Sequence, residues 1–331
     1  MFKTVSFLCC FFIFSLIFSH AQNLKGRAAN NGSLFIENTL QSKQKVNNAT
    51  GFCQIPNLSL GLNLPIYNYY KPASDTLNSK YFGINLSASN KWSSLKLSFL
   101  PEDRLLINAK LGFNSYYFLK RKNALNLNIS GLLNEDAFTI NKPSLKYNYA
   151  FLYSRFVSNK FSYHTGIVYS YIYGEGILLP ALGFKYKIGQ KSQLSIILPL
   201  QFTYKTPISS KLMLLFYLHP QGGINRFQND TNLTGNASEI VLFRRKSVAL
   251  GCIFIIKLKD NLSLLADPSF LLDQHFYFSE DNERKGTQYT NNTLEKGFQI
   301  RTRLIWRPWN KKSKKDQPDD LLNDDIYLLG L

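Results

Sequence analysis

Two neighbouring segments within residues 106–133 constrain the fold of this chain more than any other feature, because both alternate strictly with a period of two. One face of the first segment carries Ile107, Ala109, Leu111, Phe113, Tyr117 and Leu119, and the other carries Asn108, Lys110, Asn114 and Tyr116. After a basic turn at residues 120–123, the apolar face resumes with Leu125, Leu127, Ile129, Gly131 and Leu133, opposite Asn126, Asn128 and Ser130. Since successive side chains of a strand point to opposite faces, this pattern predicts a hairpin with one apolar and one polar side. Each strand has about the 9–11 residues of a tilted membrane-spanning strand, which favours a transmembrane β-barrel.

The N-terminus is typical of an exported protein. Residues 1–21 have the features of a cleaved signal peptide: Lys3 is basic, residues 5–18 are uncharged and mostly apolar, and Ala21 ends a small-residue cleavage site. No later segment has the roughly 20 consecutive apolar residues of a membrane-spanning helix. Only helices and closed barrels satisfy their backbone polar groups within a bilayer. The chain is therefore predicted to be an outer-membrane barrel, and a soluble exported β-sandwich is the structural alternative.

Composition agrees with a barrel but does not identify a partner. The sequence is 45% hydrophobic and 15% aromatic, and barrels place many aromatic rings at the two membrane interfaces. The formal net charge is +18, which fits an anionic ligand or an anionic membrane surface. No nucleic-acid-binding module is visible, so no nucleic-acid partner is predicted. The predicted partners are outer-membrane lipid and small anionic solutes, and the oligomeric state stays open.

The rest of the chain adds further predicted strands. They cover residues 57–68, 81–89, 93–100, 146–157, 161–173, 178–188, 193–204, 211–218, 248–258, 262–272 and 297–306. One more strand, beginning near Gly223, is needed to preserve the up-and-down order, which gives about 12–14 strands in all. Short turns at 120–123, 158–160, 189–192 and 259–261 are predicted to be periplasmic. The longer segments 67–80, 134–145, 228–238 and 273–296 are predicted to be outer loops.

The predicted organisation has four parts. The signal peptide at 1–21 is followed by a flexible segment at 22–50, the barrel at 51–309 and a polar periplasmic tail at 310–331. The tail is basic and then acidic, and its apolar residues allow an alternative role as a peptide that docks on a partner.

Three segments carry a family resemblance. They are residues 179–186, residues 194–200 with Pro199, and residues 222–226. Together they resemble outer-membrane β-barrel proteins of unknown function from diderm, or Gram-negative, bacteria. The resemblance implies a location and a fold, and it supplies no catalytic residues.

Few residues suggest catalysis, and no enzyme activity is predicted. Ser162 and His164 share the polar face of one strand, but neighbours two apart on a strand rarely suit a nucleophile and its base. An outer-membrane hydrolase that uses His164 or His275 is nevertheless kept as an alternative. The carboxylate pairs Glu102–Asp103, Glu135–Asp136 and Glu280–Asp281 are interpreted as solvated turn or loop charges. No metal site and no cofactor are predicted, and a disulfide between Cys53 and Cys252 stays open.

The polar strand faces carry a basic set that points into the predicted lumen. It comprises Lys110, Lys185, Lys187, Lys257, Arg301 and Arg303. Because charged rings select ions in pores, this set favours a pore for small, anionic solutes. Lys185, Lys187 and Lys257 lie close to predicted turns, where long side chains also simply reach water. The second hypothesis is a plugged structural or binding barrel that acts through its loops or its tail.

Overall fold

A computed structural model describes residues 32–47, 51–71, 80–98, 100, 102–119, 122–137, 139–140, 143–189, 191–229, 240–280 and 292–308. The described chain contains seventeen strands, numbered in chain order. They are β1 (Ser33–Gln41), β2 (Gln44–Lys45), β3 (Phe52–Gln54), β4 (Asn57–Lys71), β5 (Lys80–Leu97), β6 (Arg104–Leu119), β7 (Asn123–Asp136), β8 (Leu145–Phe156), β9 (Phe161–Ser170), β10 (Ile177–Ile188), β11 (Ser192–Leu198), β12 (Gln201–Pro207), β13 (Leu212–Gln228), β14 (Ile240–Lys259), β15 (Leu262–Glu280), β16 (Asn292–Leu294) and β17 (Gly297–Trp306). The predicted signal peptide and C-terminal tail lie outside the described residues.

Fourteen of these strands form a closed antiparallel up-and-down barrel, which confirms the predicted fold class. Each barrel strand pairs with the next barrel strand along the chain, and β1 closes the ring by pairing with both β4 and β17. The remaining strands, β2, β3 and β16, lie in the connections. Closure matters because an open sheet edge would leave unpaired backbone groups in lipid. In the part of the chain that the structure describes, no helix is long and apolar enough to span a membrane.

The hairpin of β6 and β7 shows the alternation that the sequence predicts. Leu111 and Ile129 are 58% and 42% exposed on the outer face, whereas Asn114 and Asn126 are buried on the inner face. The same outward pattern continues around the barrel through Ile36, Leu58, Leu60, Tyr149, Phe151, Ile167, Leu182, Phe216, Leu218, Leu250, Phe254, Phe270, Ile300 and Leu304. A soluble protein does not expose a continuous apolar belt of this extent, so the belt is a lipid-facing surface.

Aromatic side chains mark the two edges of this belt. Phe270 and Phe298 make an edge-to-face contact at 5.5 Å near one edge, and Trp306 ends β17 at the other. The interval from Phe298 to Trp306 matches the roughly 9–11 residues that a tilted strand needs to cross a bilayer. Beyond this interval β13, β14 and β15 extend well past the belt.

Several predicted strand boundaries are wrong, although the predicted number is within range. The segment 33–41, predicted to be flexible, is the closing strand β1, whose polar residues face inward. Predicted strands 81–89 and 93–100 belong to the single strand β5, because Lys91 is an inward residue of a continuing strand and not part of a turn. Predicted strand 193–204 is instead a pair, β11 and β12, which turns at residues 199–200. The strand expected from Gly223 is the upper part of β13.

The connections fall at two ends of the barrel. The turn end holds the connections 72–79, 120–122, 157–160, 189–191, 208–211 and 260–261, together with the start of β1 and the end of β17. The cap end holds 42–56, 98–103, 137–144, 171–176, 199–200, 229–239 and 281–296. The segment 67–80 was predicted to be an outer loop, but β4 ends and β5 begins at the turn end. The prediction was wrong because it treated β5 as two strands. The extra strand reversed the predicted direction of every strand before it.

Candidate functional site: a capped lumen

A second, smaller ring of strands stands on the cap end of the barrel, and we call it the cap. Strands β13, β14 and β15 continue into it, and so do β5, β6 and β7. Strand β15 then pairs with β16, Val46 bridges to Leu294, β2 pairs with β3, and β3 pairs with β5. The ring is completed where β13 meets β7 in parallel at Arg226 and Glu135. Strands β8 to β12 do not take part, so the cap is narrower than the barrel beneath it.

The inside of the cap is apolar. Its core contains Val46, Cys53, Ile55, Leu95, Leu97, Leu100, Leu106, Phe227, Val241, Phe243, Phe276, Phe278 and Leu294. Phe278 packs against Phe227 and Phe243, with ring centroids 5.5 Å and 5.4 Å apart, respectively. Burial raises the pKa of the Cys53 thiol to about 12, so this thiol behaves as one more apolar core group. A dry core of this kind closes the lumen to water and solutes at the cap end.

Both described cysteines are free. Cys53 lies in the cap core, whereas Cys252 lies on the outer face of β14 between Leu250 and Phe254. The open question of a disulfide between them is answered by their different locations.

The contact between β7 and β13, here called the seam, consists of buried polar groups. Arg226 forms an ion pair with Glu135 at 3.6 Å, and both side chains are almost inaccessible to solvent. The backbone N–H of Gln228 donates to Asp136 at 3.0 Å, and Asn225 donates its amide N–H to Asn108 at 2.9 Å. The seam has a single register pair, as does the bridge between Val46 and Leu294, whereas β13 and β14 share a long ladder.

The seam corrects one prediction from sequence. Glu135 and Asp136 were interpreted as solvated loop charges, but both are 0% exposed. Glu135 also accepts from the backbone N–H of Ser144, and Asp136 accepts from that of Thr139, both at 2.8 Å. No local pattern predicts this burial, because the partners on β13, Arg226 and Gln228, are about ninety positions away. Glu280 is the end of β15, and the neighbouring Asp281 lies outside the described residues.

The connection 171–176 joins β9 and β10, which do not enter the cap, and it packs against the outside of the cap. Arg244 donates to the carbonyl oxygen of Gly174 at 3.1 Å, and Tyr277 donates to the Glu175 carboxylate at 2.5 Å. A Cβ at Gly222 would lie 2.5 Å from the carbonyl oxygen of Arg245 and would also collide with that of Ile172. Glycine at 222 is therefore required by the close approach of three backbone segments.

Below the cap, a row of charged and polar side chains crosses the inner wall from β13 to β1, and we call it the charged ladder. Arg301 pairs with Asp267, with Nη2 2.5 Å from the carboxylate, and the two residues are register partners on β17 and β15. Arg303 donates to Glu37 from Nε at 2.6 Å, and these are register partners on β17 and β1. Tyr217 donates its hydroxyl to Asp267 at 2.8 Å.

A glycine makes the charged ladder possible. Tyr217 on β13 reaches Asp267 on β15 by lying across the intervening strand β14 at Gly251. A Cβ at position 251 would lie 2.5 Å from the tyrosine hydroxyl and 2.7 Å from Cβ of Ser269. A small cavity adjoins the ladder and is lined by Ile253, Leu265, Asp267, Arg301 and Arg303.

The structure brings only two of the six predicted basic residues together, and these are Arg301 and Arg303. Lys110 points inward from β6, and Lys185 is buried on the inner face of β10. Lys187 lies one inward position nearer the turn end on the same strand. Lys257 is half exposed and pairs with Asp260 in the adjoining turn at 3.0 Å.

The predicted basic set omitted further inward cations, which include Lys91 and Arg245. Lys91 faces the lumen from β5, and it lies within electrostatic range of Arg245, Glu37 and Arg301. Lys91 lies between the predicted strands 81–89 and 93–100, and Arg245 precedes the predicted strand 248–258. Arg245 alone of residues 244–246 faces inward, next to Gly223 on β13. The alternation of β14 counted back from Ile253 would have identified it.

Toward the turn end part of the interior becomes apolar again. Leu215, Ile253 and Leu265 are buried together on the inner face of β13 to β15. On the other side of the lumen, Phe118 and Phe156 stack with ring centroids 5.5 Å apart. Along β13 to β15 the charged layer therefore lies between two apolar layers, whereas the inner faces of β9 to β12 stay polar near the turn end.

The predicted hydrolase candidates have simple surroundings. His164 lies between two hydroxyls, with Ser154 Oγ at 2.7 Å from Nδ1 and Ser162 Oγ at 3.3 Å from Nε2. His275 lies 3.0 Å from Asp273 on the outside of the cap. Among the residues that the structure describes, no group of three His, Cys, Asp or Glu side chains could hold a metal ion.

Comparison with known sequences places the chain in a family. The sequence pattern of a family described as "Domain of unknown function (DUF6268)" matches residues 32–280. The chain belongs to this family. The match confirms the resemblance to a family of unknown function, and it includes β1, the seam and most of the cap. A search of curated proteins finds no match.

Three solved structures show a distant likeness to this chain. The COG4313 outer membrane channel from Pseudomonas putida F1 is 7% identical, with a TM-score of 0.41 over 83% of this chain and 94% of that one. The translocator domain of the autotransporter NalP from Neisseria meningitidis is 11% identical, with a TM-score of 0.35 over 92% and 97%. The Pseudomonas putida toluene transporter TodX is 8% identical, with a TM-score of 0.33 over 83% and 89%. These likenesses are distant, so the function is argued below from the chain's own geometry.

Proposed function

We propose that this protein is an outer-membrane barrel whose passage is closed at rest and opens by parting of the seam, so that small solutes cross only in the opened state. The cap would face the cell exterior, because short turns in such barrels are periplasmic. The observation that carries the proposal is the apolar core of the cap, which blocks the cap end of the lumen.

The seam is the natural place for opening. Strands β13 and β14 share a ladder of seventeen pairs that runs from the barrel into the cap, whereas β7 and β13 share one pair and a few buried polar contacts. Removing one partner of a buried ion pair costs about 3–5 kcal/mol, because it leaves the other charge uncompensated. A change of this size at the seam is large relative to the few contacts that hold it.

The test measures ion conductance in planar lipid bilayers. Wild-type protein is expected to be silent, and Arg226→Ala and Glu135→Gln are expected to conduct. Asp103→Asn is the matched control, since it removes the ion pair with Lys96 on the outside of the cap, where both groups are exposed. The control is expected to stay silent. Steady conductance by the wild type would contradict closure.

A chemical probe of the cap core separates opening from passage. In a Cys252→Ala background, a membrane-impermeant maleimide is expected to label Cys53 slowly in the closed protein. Labelling is expected to rise at least tenfold in Arg226→Ala, because the buried thiol then reaches water and ionises more readily.

A second candidate function is the plugged binding barrel, which is favoured by the apolar layer at Leu215, Ile253 and Leu265 near the turn end. If Arg226→Ala exposes Cys53 and yet stays silent, the lower layer still closes the lumen and the plugged barrel is the better description. If neither labelling nor conductance changes, the seam is not a gate and the gated passage is wrong.

A further inference from the structure

We infer that the lumen holds an anion-binding site beneath the cap, formed by Lys91 and Arg245 with Arg301 beside them, which takes a small solute carrying a phosphate, sulfate or carboxylate group. This inference deepens the proposed function, because it names the class of solute that would occupy the closed passage.

The first observation is an imbalance of charge at this level of the lumen. Arg301 and Arg303 are matched by Asp267 and Glu37 through direct ion pairs. The ion pairs between described residues do not include Lys91 or Arg245. The layer therefore has two more cations than anions among these residues.

The second observation is that Arg245 and Arg301 lie within electrostatic range of Lys91. Both act on Lys91 as like charges, and Glu37 acts on it as an opposite charge. Repulsion between like charges is stronger inside a protein than in water, because the surroundings are less polarisable. A bound anion would convert this repulsion into attraction and would stabilise the closed barrel.

The third observation is space and access. Gly223 is the register partner of Arg245 on β13, and a Cβ built there meets no atom within 4 Å. Lys91 and Arg245 are only partly buried, so water reaches both side chains. The cap core, with Cys53 near Arg245, forms an apolar ceiling over this space. Charge-assisted hydrogen bonds to an oxyanion are strong in such a setting.

The neighbouring ion pairs give the site its shape. Asp267 and Glu37 each hold one arginine by its side-chain nitrogen atoms, which fixes the guanidinium groups on the wall. Glu37, Ser59 and Lys91 are register partners on β1, β4 and β5, so Lys91 is separated from Glu37 by one strand. Lys91 is therefore not part of the direct ion pairs of the charged ladder.

The experiment is isothermal titration of the purified, detergent-solubilised barrel with inorganic phosphate and with sulfate at constant ionic strength. Wild type is expected to show one saturable site. Lys91→Gln and Arg245→Gln are expected to bind about tenfold more weakly or worse, the loss expected for one charge-assisted hydrogen bond. Lys257→Gln removes the same charge at the turn end and is expected to bind as wild type does.

A further variant keeps every charge and removes the space. Gly223→Leu is expected to weaken binding while the protein retains the heat-modifiable gel mobility of a folded barrel. Saturable binding that is unchanged in Lys91→Gln, or no saturable binding in wild type, would overturn the inference. Because the titration is done on the closed protein, its result is independent of whether the seam variants conduct.

Discussion

The same strands build two tiers that follow opposite rules. In the membrane tier, β13 to β15 direct Phe216, Leu250 and Phe270 outward and polar groups such as Asp267 inward. In the cap, the inward positions of these strands hold Phe227, Phe243 and Phe276, and outward positions hold Arg244 and Tyr277. The inversion occurs because lipid surrounds one tier and water the other, so the apolar face turns toward whichever side lacks water.

The switch between tiers has a visible structural cause on β15. Register between β14 and β15 shifts between Lys246 and Val248, opposite Asp273, whose φ is 46°. The extra residue changes which side chains face inward, so Leu271 and Phe276 both point to the interior although they differ in parity. A β-bulge thus converts a membrane strand into a strand of a soluble core.

The largest expected effect tests packing in the two tiers. Phe276→Ala in the cap core should lower the free energy of unfolding by about 3–5 kcal/mol, because it leaves a cavity in addition to the lost apolar contact. Phe270→Ala, on the same strand but facing lipid, should cost about 1.5–3 kcal/mol, since lipid chains refill the space. Urea unfolding from phospholipid vesicles measures both. Equal losses would mean that the cap is not packed as a dry core.

The next effect tests which surface faces lipid. Phe254→Arg should destabilise the folded barrel by about 2–4 kcal/mol, because the charge lies near the middle of the bilayer. Phe254 pairs with Ala266, which pairs with Thr302 at the centre of the interval from Phe298 to Trp306. Ser94→Arg, at an outward position on the part of β5 that enters the cap, should change stability by no more than about 0.5 kcal/mol. The same vesicle unfolding assay compares them. A tolerated arginine at position 254 would remove Phe254 from the lipid-facing belt.

The smallest effect concerns the inner wall of the membrane tier. Gly251→Ala should cost about 1–3 kcal/mol, because the new methyl group displaces Tyr217 from Asp267. Gly223→Ala is the control, since its Cβ has open space, and it should be neutral or slightly stabilising. Thermal unfolding in detergent is sufficient here. If the two alanine variants match, the ladder does not depend on the close approach at Gly251.

Alternation predicted the membrane tier well and the cap hardly at all. The lipid-facing residues of β6 and β7 were predicted directly, because apolar and polar residues alternate with a period of two in a strand that has different surroundings on its two faces. The cap core draws on segments as distant as Val46 and Leu294, and the seam joins Glu135 to Arg226. Such pairings depend on the final arrangement of strands, which no local pattern encodes.

The site was predicted only in part for a similar reason. Arg301 and Arg303 stood out by charge, but their partners Glu37 and Asp267 did not, since one was in the segment predicted to be flexible and the other is a single acid within an apolar strand. Lys91 lies between two predicted strands because its neighbour Asn90 interrupts the apolar face of Phe82, Ile84 and Leu86. Polar residues that face a lumen are easily mistaken for turns.

The position of β1 has a consequence for how the molecule is made. Leu34 is the partner of Trp306, so one of the first residues of the barrel pairs with one of the last. Until β17 has been delivered, one side of β1 and of every partial sheet remains a bare edge that another chain could extend. The loop that closes the ring is almost the whole chain, and contacts of such long sequence separation form slowly. Because β17 is synthesised last, no early intermediate of this protein has a closed barrel without free strand edges. Its assembly therefore depends on bringing both ends of the chain together.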